Sequence, residues 1–177
     1  MSTAWYASRS GGIVAYLVLT ASVVVGLLLS GRVSLEWPRF AVTELHRYLA
    51  LVAGVFIGLH GALLLLDRVQ PLSLGQELLP FSSSYRPFAV GLGVVAAELL
   101  AAVGVSNALR DRIPYRVWRR IHFLTLAVWV LASAHLVLAG TDRAEPWLVG
   151  LVAVAWCAAA LAASVRLLAP SHGKRLA

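Results

Sequence analysis

The chain has 177 residues, of which 60% are hydrophobic and only 13% charged, and its mean hydropathy is +0.81. A soluble domain carries about 25% charged residues to cover its surface, so this composition excludes an aqueous globule and points to helices in a bilayer. The net charge of +7 does not indicate nucleic acid, because the basic residues flank apolar runs instead of lining one polar face.

Five apolar runs follow in chain order, each close to the ~20 residues that cross a bilayer. The first, 13–30, comes after Arg9, yet it is longer than a signal-peptide core of about 7–15 residues, and "LLLSGRVS" offers no small-x-small cleavage site. It is expected to remain as a helix. The second, 42–66, lies between Gly31 with Pro38 and Asp67 with Pro71. The joint 67–86 contains "GQELLPFSSSYRP" and is a place for a short interfacial helix. The third, 88–109, starts after Pro87, the fourth, 117–139, after Pro114, and the fifth, 146–168, at Pro146, which suits proline at helix starts. A short tail, 170–177, closes the chain. The expected fold is a single all-α domain, 1–177: a polytopic helical bundle of about five transmembrane helices.

Alternating joints sort the cations. One side collects Arg32, Arg39, Arg47, Arg110, Arg112, Arg116, Arg119, Arg120, Arg166, Lys174 and Arg175; the other has only Arg9, Arg68, Arg86 and Arg143. The positive-inside rule puts the richer side in the cytoplasm, with the N-terminus outside and the C-terminus inside. The Arg-, Ala- and Val-rich composition suggests a bacterial inner membrane. The lone cysteine, Cys157, lies within an apolar run, so there is no disulfide framework and no CxxCH for covalent haem.

Of five histidines, His46 and His60 fall in the second span, His122 and His135 in the fourth, and His172 in the tail. The second and fourth spans run in the same direction. Within them the histidines are 14 and 13 residues apart, or about 21 and 20 Å at ~1.5 Å per residue. His46 and His122 lie near the cytoplasmic interface, His60 and His135 near the outer one. A single membrane histidine is readily explained by an interhelical hydrogen bond, but two pairs at matched depths in parallel helices fit two haem b groups, each held non-covalently by two imidazoles. No two histidines stand at i, i+3 or i, i+4, which argues against zinc or copper. A spacing of 13 turns His122 and His135 about 140° apart on a straight helix, so the fourth span is expected to cross obliquely or to carry a local distortion such as a π-bulge.

These pairs, 14 and 13 apart in alternate spans, resemble the ferric reductase-like transmembrane domain of NADPH oxidases and ferric reductases. "SYRPFAVGLGV" and "SNALRDRIPYRVWRRIHFLTLAVWVLASAHLVL" are also similar to the haem-bearing membrane subunit of the periplasmic methionine sulfoxide reductase system. The resemblance covers about 42–140, the expected haem-binding core, and is most specific at Trp118 with His122 and at His135. It implies that His46 and His122 ligate the inner haem and His60 and His135 the outer one. Larger relatives continue into a flavin and nicotinamide module; here "APSHGKRLA" follows the last span, so FAD or FMN is expected only on a partner. Many relatives also have six spans where five are seen here.

The expected function is transmembrane electron transfer, as an oxidoreductase subunit. The donor is a separate cytoplasmic flavoprotein or quinol, and the acceptor is ferric iron, oxygen or a periplasmic redox protein. A quinol-linked dihaem cytochrome of bc-complex type, with quinone as a further cofactor, and a haem-free membrane scaffold are the alternatives. Among supporting residues, Gly54, with Gly58 and Gly61, either leaves room for a porphyrin along its span or makes an ordinary membrane helix contact, Gly54 being the best candidate for haem packing. Trp118, Phe123 and Trp129 are candidates to flank haem faces, with an interfacial anchor as the alternative for Trp118. Arg47 and Arg119, with Arg116 and Arg120, are cations at the inner depth that either mark topology alone, the stronger reading for most of them, or meet haem propionates, and Arg86 is the candidate propionate partner at the outer face. Glu98, near the bilayer centre, is expected to make a polar contact within the bundle or to serve proton or quinone chemistry.

Overall fold

The computed structural model describes residues 2–30, 37–67, 72–143 and 145–168. The tail 170–177 with His172, and the topology cations Arg32, Arg68, Lys174 and Arg175, lie outside the described residues. Among those described, five helices are long and apolar enough to cross a membrane: α1 (Thr3–Ser30), α2 (Arg39–Leu65), α4 (Pro87–Ala108), α5 (Tyr115–Ala139) and α6 (Pro146–Leu168). A short helix, α3 (Leu74–Leu78), occupies the joint between α2 and α4. The protein is a polytopic helical bundle.

Local chemistry sets the helix ends. Pro38 and Pro114 immediately precede α2 and α5, and Pro87 and Pro146 open α4 and α6; a residue with fixed φ and no N–H costs nothing in a first turn. Ser73 and Gln76 form a reciprocal capping box on α3. Arg86, at the N-cap of α4, adopts φ 41°, and its Nη1 donates to the carbonyls of Leu138, Ala139 and Gly140 at 3.0, 3.3 and 3.0 Å. One guanidinium thereby satisfies the orphan carbonyls at the end of α5.

The first helix begins at Thr3, well before the apolar run at 13. Its polar opening is tolerated because Ser8 bonds α2 and Arg9 pairs with Asp142. Contacts fix the directions. Ser8 meets His60 while Ser22 meets His46, so α1 and α2 are antiparallel; Ala89 meets His135 while Asn107 meets Trp118, so α4 and α5 are too. Two hairpins result, with α1 also packing on α5 and α6.

The core gathers Tyr16, Leu19 and Val23 of α1 with Ala53, Ala96, Val128, Trp129, Ala155 and Ala159. Lipid is as apolar as these side chains, so close packing and polar bonds must hold the helices. Trp129 Nε1 donates to Thr20 Oγ1 at 2.9 Å, Tyr16 and Ser133 hydroxyls meet at 3.0 Å, and Trp156 Nε1 donates to Ser133 at 3.3 Å. Each such bond contributes about 0.6 kcal/mol on average. Together they tie α1, α5 and α6 midway along α5, between its two histidines.

Candidate functional site

The structure brings all four span histidines into two facing pairs. The ring centroids of His46 and His122 are 6.0 Å apart, with planes at 73°, and those of His60 and His135 are 6.2 Å apart, at 78°. With a metal–imidazole bond of about 2 Å and roughly 1 Å more from nitrogen to ring centre, two imidazoles sharing one metal between them would bring their centroids to about 6 Å. Both pairs meet that distance. Among the described residues, no group of three or more His, Cys, Asp or Glu side chains gathers as it would for a caged ion.

The hydrogen bonds set the tautomers. His60 Nδ1 lies 2.8 Å from the carbonyl of Ser8, His46 Nδ1 3.0 Å from that of Ser22, and His135 Nδ1 2.8 Å from that of Ala89. A carbonyl only accepts, so Nδ1 carries the proton in each ring, and the lone pair is left on Nε2. This is how a ligating imidazole is commonly fixed, with its other nitrogen donating to an acceptor outside the metal's own ligands. His122 is different: its Nδ1 is buried with no hydrogen-bond partner. Trp118 stacks on it instead, at 5.3 Å and 22°, while the indole N–H is held by Asn107 Oδ1 at 3.1 Å.

The pairs meet across a gap. α2 packs chiefly on α1, and α5 on α4 and α1, so α2 and α5 face each other mainly through their histidines. At the His60–His135 level the gap is a cavity of about 310 Å³, walled by Ile57 and Leu64 of α2, Val128 and Leu136 of α5, and Val94 of α4. Its lining is largely apolar, with Arg9, Tyr85 and Glu77 among its polar members. No π turn interrupts α5 among the described residues, so its 13-residue spacing is taken up without breaking the backbone ladder.

The other residues singled out in the sequence have definite places. Gly54 faces open space, with nothing within 4 Å of an added Cβ, as does Gly58. Arg47 is exposed and paired with Glu44 at 2.7 Å. Arg119 Nη1 bonds the Tyr115 hydroxyl at 3.1 Å, and its guanidinium lies over the Tyr115 and Phe123 rings. Arg86 caps α5 as described, and Glu98 is exposed on α4. Trp129 belongs to the core network.

Several residues at the site carried no signal in a reading focused on the histidines. Ser8, Ser22 and Ala89 act through backbone carbonyls, which every residue type possesses. Arg9, counted only for topology, lines the outer-level cavity, pairs with Asp142 and lies over Trp5. Glu77 of α3 lies on the same cavity, with a buried Oε1 lacking a hydrogen-bond partner; burial holds its carboxyl above the usual carboxylate range.

No curated protein and no solved structure matches the chain. The family model described as "Ferric reductase like transmembrane component" matches residues 11–133, a segment that contains His46, His60 and His122 and ends two residues short of His135. With the match extending over more than half of its length, the chain belongs to the ferric reductase-like transmembrane family.

Proposed function

We propose that this protein is a dihaem conduit that carries electrons across a bacterial inner membrane, from a cytoplasmic donor to an acceptor on the outer face. The observation that carries the reading is the pair of His–His contacts, 6.0 and 6.2 Å, bridging two parallel helices. The family relationship supports it, since ferric reductase-like transmembrane domains generally bind haem and point to transmembrane electron transfer. His46 and His122 hold the inner haem, His60 and His135 the outer one.

Bound haem supplies one-electron chemistry, with a potential set by its axial ligands and surroundings. The chain does the rest. Carbonyls of Ser8, Ser22 and Ala89 hold three imidazoles in the ligating tautomer, and Trp118 orients the fourth. Largely apolar walls line the gap at the outer level. Gly54 leaves room between the two levels. Arg9 and Arg86 supply cations at the outer level, Arg47 and Arg119 at the inner, where haem carboxylates need them. The electropositive inner face suits a separate flavoprotein or a quinol as donor; ferric iron or a periplasmic redox protein is the acceptor.

An absorption spectrum of the purified protein tests the reading: a Soret band and a reduced α-band are expected, and their absence leaves the haem-free scaffold. The pairing is tested by single substitutions. His60→Ala and His135→Ala are expected to remove one and the same haem, and His46→Ala and His122→Ala the other; loss of different haems by two members of one pair overturns it.

A further inference from the structure

Three of the four imidazoles are met by the same backbone arrangement. The carbonyls that accept from His60, His46 and His135 belong to Ser8, Ser22 and Ala89, and four residues beyond each stands a glycine: Gly12, Gly26 and Gly93. A Cβ built on Gly12 would lie 2.9 Å from His60 Nδ1, one on Gly26 3.1 Å from His46 Cε1, and one on Gly93 2.6 Å from His135 Nδ1. The reason for i+4 is geometric. A helical carbonyl points at the N–H of residue i+4, whose Cβ tilts back towards the helix N-terminus and covers the oxygen. Without that Cβ a ring from a neighbouring helix can approach the carbonyl's second lone pair closely.

On α1 the two cradles, Ser8 with Gly12 and Ser22 with Gly26, repeat after 14 residues, the spacing of His60 and His46 on the antiparallel α2. The serine side chains add to each: Ser8 Oγ donates to the His60 carbonyl at 2.9 Å and lies 3.0 Å from Nδ1, and Ser22 Oγ lies 3.2 Å from His46 Nδ1. Ser8 and Ser22 are both buried. An ordinary helix contact would use small residues without aligning each of them to an imidazole.

We propose that Gly12, Gly26 and Gly93 are positioning residues for the haem ligands, each opening a helix carbonyl to one Nδ1–H, and that His122 alone is held without such a cradle. The proposal rests on the dihaem reading and assigns α1 and α4, which carry no ligand, the task of fixing ring tautomer and orientation. Because a donated Nδ1–H raises ligand basicity, the cradles act on the electronic character of the iron as well as on occupancy. The outer site has two cradled ligands and the inner site one.

The test compares Gly→Ala variants of the full chain, purified from the membrane, by haem-to-protein ratio and by the electron paramagnetic resonance of the oxidised protein. Gly93→Ala and Gly12→Ala, where the added Cβ meets ring atoms at 2.6 and 2.9 Å, are expected to lower the ratio from two haems to one by loss of the outer haem. Gly26→Ala meets the ring at 3.1 Å and no closer, so both haems remain and only the inner signal shifts. Gly11→Ala, beside Gly12 but with nothing within 4 Å of its Cβ, is expected to match wild type in both readouts. The Gly26 variant keeps the proposal testable if the more severe ones fail to fold. Both haems with unshifted signals in all three variants, or the same losses in Gly11→Ala, overturn it. Wild-type protein without haem overturns the underlying reading instead.

Discussion

At the scale of single residues, the four histidines and their depths were legible because residue type and spacing are written in the sequence. Their hydrogen-bond partners were not, since a carbonyl has no letter, and the serines and glycines of α1 look like ordinary small residues of a membrane helix. The same holds for Glu77, a residue in a polar joint whose carboxyl packs beside Gly61. Its raised pKa means that the folded protein favours the protonated form. Stability from this group is therefore greatest at acid pH, below its unfolded value, and is lost as pH rises through the folded value. Glu77→Gln is expected to raise the thermal midpoint at neutral pH and to flatten its rise on mild acidification, as followed by circular dichroism in micelles. An unchanged pH profile would show that the burial is without consequence.

At the scale of elements, four of the five span boundaries could be read to within about three residues, because proline and polar joints mark them. The exception is α1, whose polar first turns find partners on α2 and in the α5–α6 turn. Span four needed a distortion or an oblique path on the evidence of periodicity alone; the structure keeps α5 an unbroken α-helix and leaves His122 without the carbonyl partner that His135 has. The α1–α2 hairpin sets the register of both histidine levels, and Ala53, 1% exposed, sits at its middle. Ala53→Leu is expected to cost about 1–3 kcal/mol by overpacking, measured by denaturant unfolding in micelles. Val55→Leu, on the exposed face of the same helix, is expected to stay within about 0.5 kcal/mol of wild type.

At the scale of the whole molecule, two antiparallel hairpins hold α2 and α5 parallel, with a gap between them and two histidine pairs about 20 Å apart along the helices. The bundle architecture followed from composition, whereas the gap could not be foreseen, because it depends on which helices pack together. The imidazole planes of each pair are near-perpendicular, at 73° and 78°; iron held between rings so disposed would have two d orbitals close in energy and would give a low-spin ferric signal of large g anisotropy. Low-temperature electron paramagnetic resonance of the oxidised, purified protein therefore decides whether the two histidine pairs hold two haems. Two such low-spin bis-histidine signals integrating to two spins per chain are expected; a single signal, a high-spin haem or no haem signal would overturn the dihaem reading.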